Sequence, residues 1–143
     1  MITHGAGQTF AARMTGLPQA AEFVDAFCQR CGVADDEALR LHLVIEELFT
    51  NTVSHGHGGD SDATIRLELE FNAASLSLIY EDQAPPFDPV QHLAQRPPEL
   101  DVSADHRSVG GLGLHLVAQL AQCLNYARVG DCNRLFLQLR RTH

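Results

Sequence analysis

The sequence predicts an α+β domain, a two-layer sandwich in which one largely antiparallel mixed sheet carries helices on one face. Three observations lead there. Helical and strand periodicities come in blocks rather than in strict alternation, a period-two hairpin sits near the middle of the chain, and no repeat, low-complexity tract or interdomain linker divides the 143 residues. A single domain of this length buries about two thirds of the surface its unfolded chain exposes. It needs no disulfide staples.

The elements follow in order. Gln8 to Met14 reads as a short strand. Leu17-Pro18 opens a helix in which Ala21, Val24, Phe27, Cys28 and Cys31 recur at three- and four-residue steps, and Gly32 ends it. Asp35-Asp36 then supplies an N-cap and an acidic first turn for a long helix running to about His55, with Gly56 as its stop. From Ala63 to Phe71 the pattern alternates: Ile65, Leu67, Leu69 and Phe71 share one face, and Arg66, Glu68 and Glu70 the other. Leu76, Leu78 and Tyr80 repeat that alternation after a turn at Asn72-Ala73, which predicts a hairpin with one wet face. Between Asp82 and Val109 the periodicity fails, and five of the six prolines fall there. A connection of that length inside one domain is usually functional or mobile. Gly110-Gly111-Leu112-Gly113 leads into a helix marked by Leu116, Val117, Leu120, Ala121 and Leu124, and two strands close the chain, Asn125 to Val129 and Leu135 to Arg140.

Composition narrows the function. All ten cationic side chains are arginine, and against 18 carboxylates they leave a formal net charge of −8. That balance speaks against a nucleic-acid backbone as partner, because counterion release requires a dense Lys/Arg patch. Without lysine there is no P-loop ammonium and no Schiff-base amine. An anion would have to be met by arginine, backbone N–H groups or a metal. Met1 to Phe10 lacks a basic start followed by an apolar stretch, and no window reaches the roughly 18 apolar residues of a membrane span, so a soluble cytoplasmic protein is expected. Cys28, Cys31, Cys123 and Cys132 then read as free thiols buried as small hydrophobes. A zinc site built on them, or on His55-Gly56-His57, lacks a second compact ligand pair.

Chemistry could sit in three places. On the long helix, Glu47 and Asn51 stand one turn apart on the flank of the stripe formed by Leu41, Val44, Ile45, Leu48 and Thr52. The carboxylate could take a proton and the amide oxygen could ligate Mg²⁺, although the same spacing also describes a solvated helix face. Asp82 stands where an apolar strand gives way to a proline-fixed turn. It could accept a hydrogen bond from a ligand's exocyclic amine, or simply cap the turn. Gly110 to Leu114 opens a helix whose first N–H groups suit a phosphate, and loop flexibility would also explain its glycines.

The order of these signals carries more weight than any one of them. Glu47-Leu48-Phe49-Thr50-Asn51 with His55-Gly56, then Asp82-Gln83-Ala84-Pro85-Pro86-Phe87-Asp88, then Gly110-Gly111-Leu112-Gly113-Leu114 resembles the ATP-binding domain shared by gyrase, heat-shock chaperones, histidine kinases and mismatch-repair ATPases. Within that superfamily it looks most like the stand-alone bacterial anti-sigma factors that are also serine kinases. The resemblance covers the chain from the first helix to Arg140, and it implies the histidine-kinase-like, or Bergerat, fold. Carried over, it implies Glu47 as general base, Asn51 as ligand of a Mg²⁺ that bridges the phosphates, and Asp82, with Ala84 beside it, as the adenine site. Gly110, Gly111, Leu112, Gly113 and Leu114 would receive the phosphates at the helix start. The segment from Gln91 to Val109 corresponds to an ATP lid, in which Arg107, and His106 beside it, either meet the phosphates or stand as solvated residues. The family's strand-end motif reads Asp-x-Gly, whereas here Asp82-Gln83-Ala84 adds a methyl. Implied with the family are ATP and Mg²⁺, transfer of the γ-phosphoryl group to a serine or threonine of an antagonist protein, a sigma factor as second partner, and a homodimer. The alternative within the same fold is an ATP-gated binding switch that transfers nothing.

Overall fold

The computed structural model describes residues 2–95 and 111–141. Strand β1 (His4–Ala11) is followed by a 3-10 turn (Met14–Gly16), helices α1 (Leu17–Cys31) and α2 (Asp35–Asn51), a π turn (Thr52–Gly56), and the hairpin β2 (Thr64–Phe71) and β3 (Leu76–Asp82). Helices α3 (Pro89–Gln95) and α4 (Gly111–Leu120) precede the closing pair β4 (Ala121–Val129) and β5 (Cys132–Leu139). The sheet order is β1-β2-β3-β5-β4, and all four ladders are antiparallel. β4 takes the edge and β5 returns between it and β3, which leaves the end of β3 open beside the start of β5.

Alternation decides the two faces. Ile65, Leu67 and Leu69 of β2, Leu76, Leu78 and Tyr80 of β3, and Leu135, Leu137 and Leu139 of β5 are buried on the helix side. Against them pack Val24 and Phe27 of α1, Leu41, Val44 and Leu48 of α2, and Leu114 and Val117 of α4. The opposite face is wet, with Arg66 Nη2 on Glu68 Oε1 at 2.8 Å and Arg134 Nη2 on Glu81 Oε2 at 3.2 Å. Cys28 is buried in the helix layer, where burial first, then the charges of Asp25 and Cys31, push its thiol up to about 11. All four cysteines are free.

Four boundaries differ from the sequence reading. β1 begins at His4 rather than Gln8, because every residue from His4 to Ala11 pairs with β2 although Gly5 and Gly7 erase the alternation. The cap of α2 is Ala34 in extended conformation, with no side-chain bond; Asp35 and Asp36 lie inside the first turn, where they favour the helix dipole instead. That helix passes at Asn51 into the π turn, and Gly56 does not take the left-handed conformation of a C-terminal stop, which Gly32 does at φ 71°. Finally, α4 stops at Leu120: Ala121 already pairs with Leu139 and Leu124 with Leu137, so cross-strand pairing overrides helical spacing. The long connection also contains α3, which periodicity did not reveal.

At the far end of the sheet, Glu37 in the first turn of α2 is 1% exposed and pairs with Arg141. The Arg141 guanidinium also donates to Asn72 O at 3.1 Å and lies 5.0 Å from the centre of the Phe71 ring. This contact ties the chain's last described residue to the hairpin turn and to α2.

Candidate functional site

The end of α2, the π turn, the end of β3 and the starts of α4 and β5 enclose a mostly apolar cleft of about 380 Å³. Its walls include Leu48, Tyr80, Ala84, Leu114 and Leu135. Polar groups are few. Asn51 opens into it from the last turn of α2, and its carboxamide has no hydrogen-bond partner among the described residues.

Asp82 forms the floor at 9% exposed, and both its oxygens are engaged. Oδ1 accepts from Ala84 N at 3.2 Å and from Asn133 Nδ2 at 2.8 Å; Oδ2 accepts from Thr52 Oγ1 at 2.8 Å. A carboxylate only accepts, so Thr52 Oγ1 donates to Asp82; the Tyr80 hydroxyl stands 2.6 Å from Thr52 Oγ1, and Leu48 O accepts from the pair, 3.0 Å from Thr52 Oγ1 and 3.1 Å from Tyr80 Oη. Burial first, and then the charge of Asp82, hold the Tyr80 phenol well above its ordinary range, which keeps it a donor. One acceptor position remains on Asp82 Oδ2, and Asp82 lines the cleft.

Ala84 is 3% exposed and lies where the Asp-x-Gly departure was noted. Its methyl is accommodated from across the cleft: a Cβ built at Gly56 would come 2.8 Å from that of Ala84. Gly56 is thus small because the β3 end approaches it. The wider π turn is the segment that makes this approach.

Glu47 is half-buried one turn before Asn51, and its carboxyl group lies against Gly113 in the first turn of α4. Desolvation, then the neighbouring charge of Glu46, raise its pKa above the ordinary carboxylate value. Gly111 and Leu112 belong to the same first turn, and Leu114, buried at 4%, faces the cleft. Asn51, Asp82, Ala84 and Leu114 therefore share one cavity, with Glu47 at its α4 side. Arg107, His106 and Gly110 lie outside the described residues, as does the expected lid beyond Gln95.

Sequence reasoning missed four participants. Thr52 read as part of the buried stripe and Tyr80 as a core-facing strand residue; neither position signals a hydroxyl relay. Asn133 and Tyr126 come from β5 and β4, and no spacing in the sequence relates them to Asp82.

The described residues contain no helix long and apolar enough to cross a membrane. Comparison with known proteins places the chain among nucleotide-binding domains. A serine/threonine-protein kinase of Bordetella bronchiseptica, BtrW, is 34% identical over 97 residues, a match spanning 68% of this chain and 66% of that protein. A crystal structure of the RsbU and RsbW domains of a Mycobacterium tuberculosis protein superimposes with a TM-score of 0.66 at 13% identity, covering 96% of this chain and 32% of that one. That superposition speaks for the fold. The sequence pattern of the histidine kinase-like ATPase domain matches residues 10–139, from the inward-facing Phe10 of β1 to the last residue of β5. With that match across the helices and strands that build the cleft, the chain belongs to the histidine kinase-like ATPase domain family.

Proposed function

We propose that this chain is an ATP-dependent protein serine/threonine kinase that also holds a sigma factor and phosphorylates an antagonist protein. The observation that carries the reading is the floor of the cleft: a buried carboxylate with one free acceptor position, set among apolar walls, suits the amino edge of an adenine. The kinase name of the Bordetella relative supports the transfer step, and the sigma-factor role follows from the resemblance of the motifs Glu47–Asn51, Asp82–Asp88 and Gly110–Leu114 to the anti-sigma serine kinases. A homodimer belongs to the same reading.

Each residue then has a task. Asp82 accepts from the base, and Ala84 with Leu48 and Leu114 encloses it. The Asn51 amide oxygen, a hard donor without a partner among the described residues, fits Mg²⁺. When bound, that ion supplies the positive charge that neutralises the phosphates of an otherwise acidic, lysine-free protein. Gly111 and Gly113 put no bulky side chain at two positions of the first turn of α4, whose N–H groups suit phosphate, with Gly110 and Arg107 preceding it in sequence. Glu47, with its raised pKa, takes the proton of the incoming serine hydroxyl.

A thermal-shift titration tests this directly. Mg-ATP raises the melting temperature by mass action, and withdrawal of Mg²⁺ removes most of the shift. D82N abolishes it. E47A keeps the shift and stops transfer of labelled phosphate to a protein partner encoded nearby. No shift for the wild type at millimolar Mg-ATP would refute nucleotide binding, whereas a shift with no labelled partner would identify a gated binding switch.

A further inference from the structure

The floor of the cleft is organised by a residue that neither the motifs nor the function above assign. Asn133, second residue of β5, is 8% exposed and makes five hydrogen bonds. Its Oδ1 accepts from Phe87 N at 3.1 Å and from Tyr126 Oη at 2.6 Å. Both of those groups donate, which fixes the amide's orientation. Its Nδ2 donates to Asp82 Oδ1 at 2.8 Å, to Pro85 O at 3.0 Å and to Ala84 O at 3.2 Å. Arg128 Nη1 adds a second donor to Ala84 O at 2.9 Å.

Counting capacity gives the consequence. An amide has two lone-pair positions and two protons; the lone pairs meet Phe87 N and Tyr126 Oη, and the two protons are shared among three acceptors, so all are spent within the protein. Asn133 lines the cleft and yet has nothing left to offer a ligand. Asp82 Oδ1 is likewise filled, by Ala84 N and Asn133. The unspent polar position at this point is on Asp82 Oδ2, which has Thr52 as its one donor among the described residues.

We propose that Asn133 is a positioning residue for base selection: anchored by Tyr126 and Phe87, it locks Asp82 and the Ala84–Phe87 loop so that the base meets a single fixed acceptor. A purine with a 6-amino group supplies the matching donor. A 6-keto purine turns a lone pair toward the carboxylate and is rejected. Loss of the Asn133 amide frees Asp82 to rotate toward the N1–H that a 6-keto purine carries, so that either base finds an acceptor. The inference rests on the nucleotide-binding reading above and assigns a residue within it.

The test compares the dissociation constants of Mg-ATP and Mg-ITP, which differ in that amino group, for wild type, N133A and Y126F, with the nucleotide-free melting temperature recorded for each. Wild type prefers ATP. In N133A the preference falls by about tenfold or more, the scale of a buried hydrogen bond to a charged group, and in Y126F by about threefold, since one neutral bond to the Asn133 anchor is lost. If N133A does not fold, Y126F decides. Wild type that binds ATP and ITP equally, or variants that melt earlier and keep the wild-type preference, would overturn the assignment. Wild type that binds neither nucleotide refutes the nucleotide reading itself, a separate result.

Discussion

Glu47 and Gly113 are in direct contact across two helices: a methyl built on Gly113 would overlap Glu47 Oε2 and stand 3.1 Å from its Cδ. Gly113 does not have a positive φ, so its missing side chain answers to space and not to backbone conformation. The glycine that would let a phosphate approach α4 is thus also the glycine that seats the proposed base. The two proposed roles make their demands at one Cα.

Replacing that glycine separates the two demands. Gly→Ala inside a helix ordinarily gains about 1 kcal/mol. In G113A the overlap with Glu47 offsets that gain and turns the carboxylate away. Phosphotransfer falls by tenfold or so, the factor expected when about 1.4 kcal/mol of transition-state positioning is lost. In an E47A background the clash is gone, and urea unfolding of E47A/G113A against E47A shows the full helix gain. A non-zero coupling in this cycle checks the contact; strict additivity would contradict it.

The raised pKa of Glu47 makes two linked statements about pH. Burial penalises the ionised form, so the folded protein holds this proton more tightly than the unfolded chain does. Its contribution to stability is fully present below the ordinary carboxylate value of 4.5 and is lost as pH rises through the higher folded value. E47Q, which stays neutral, is therefore at least as stable as wild type at pH 7, and its advantage shrinks toward pH 4. Activity runs the other way. As base, Glu47 must be ionised, so kcat/KM rises with pH along a limb displaced above the ordinary carboxylate range. The limb disappears with the residual activity of E47Q.

What the sequence revealed and what it hid have physical causes. The hairpin β2–β3 and helix α1 were legible because their apolar residues face one buried layer at fixed period. β1 was cut short because an edge strand with Gly5 and Gly7 keeps few side chains to alternate. The end of α4 was misjudged because Ala121 and Leu124 suit a helix and a strand equally, and pairing with Leu139 and Leu137 decides. In the site, Asn51 and Asp82, which the structure places on the cleft, and Glu47 beside α4 are candidates legible in the sequence because they lie within short motifs. Thr52, Tyr80, Tyr126 and Asn133 were not, since hydrogen bonds among residues up to 81 positions apart, Thr52 to Asn133 through Asp82, leave no local pattern.

The close pair Gly56 and Ala84 predicts a rescue. G56A places two methyl carbons 2.8 Å apart unless the π turn or the β3 end shifts, an overpacking that costs about 1–3 kcal/mol. Because the shift would move Ala84 N, which bonds Asp82 Oδ1, G56A also weakens Mg-ATP binding. A84G alone is mild. The double variant G56A/A84G exchanges the methyl from one wall to the other and recovers most of both losses, measured by urea unfolding and nucleotide titration. Failure of the second change to restore stability would show that Gly56 is constrained by something other than Ala84.

The Glu37–Arg141 pair makes the opposite kind of prediction, one that concerns stability and leaves the site alone. Glu37 is 1% exposed, and Arg141 is its charged partner, so R141A strands a carboxylate in the core at a cost of about 3–5 kcal/mol. Ending the chain at Arg140 does the same. The pair itself need not be stabilising: two desolvated ions regain little over an apolar contact of equal volume, and Phe71 already lies beneath the guanidinium. The double variant E37L/R141M is therefore expected to unfold at a urea concentration close to that of wild type, far above R141A. Glu37 stands 14 residues before Asn51 on α2, roughly 21 Å from the cleft end of the helix at about 1.5 Å per residue. Mg-ATP affinity measured below the melting temperature should then be the same in wild type and in E37L/R141M. A double variant as unstable as R141A would mean that the ion pair, and not burial of its parts, holds the carboxyl end of the chain to α2.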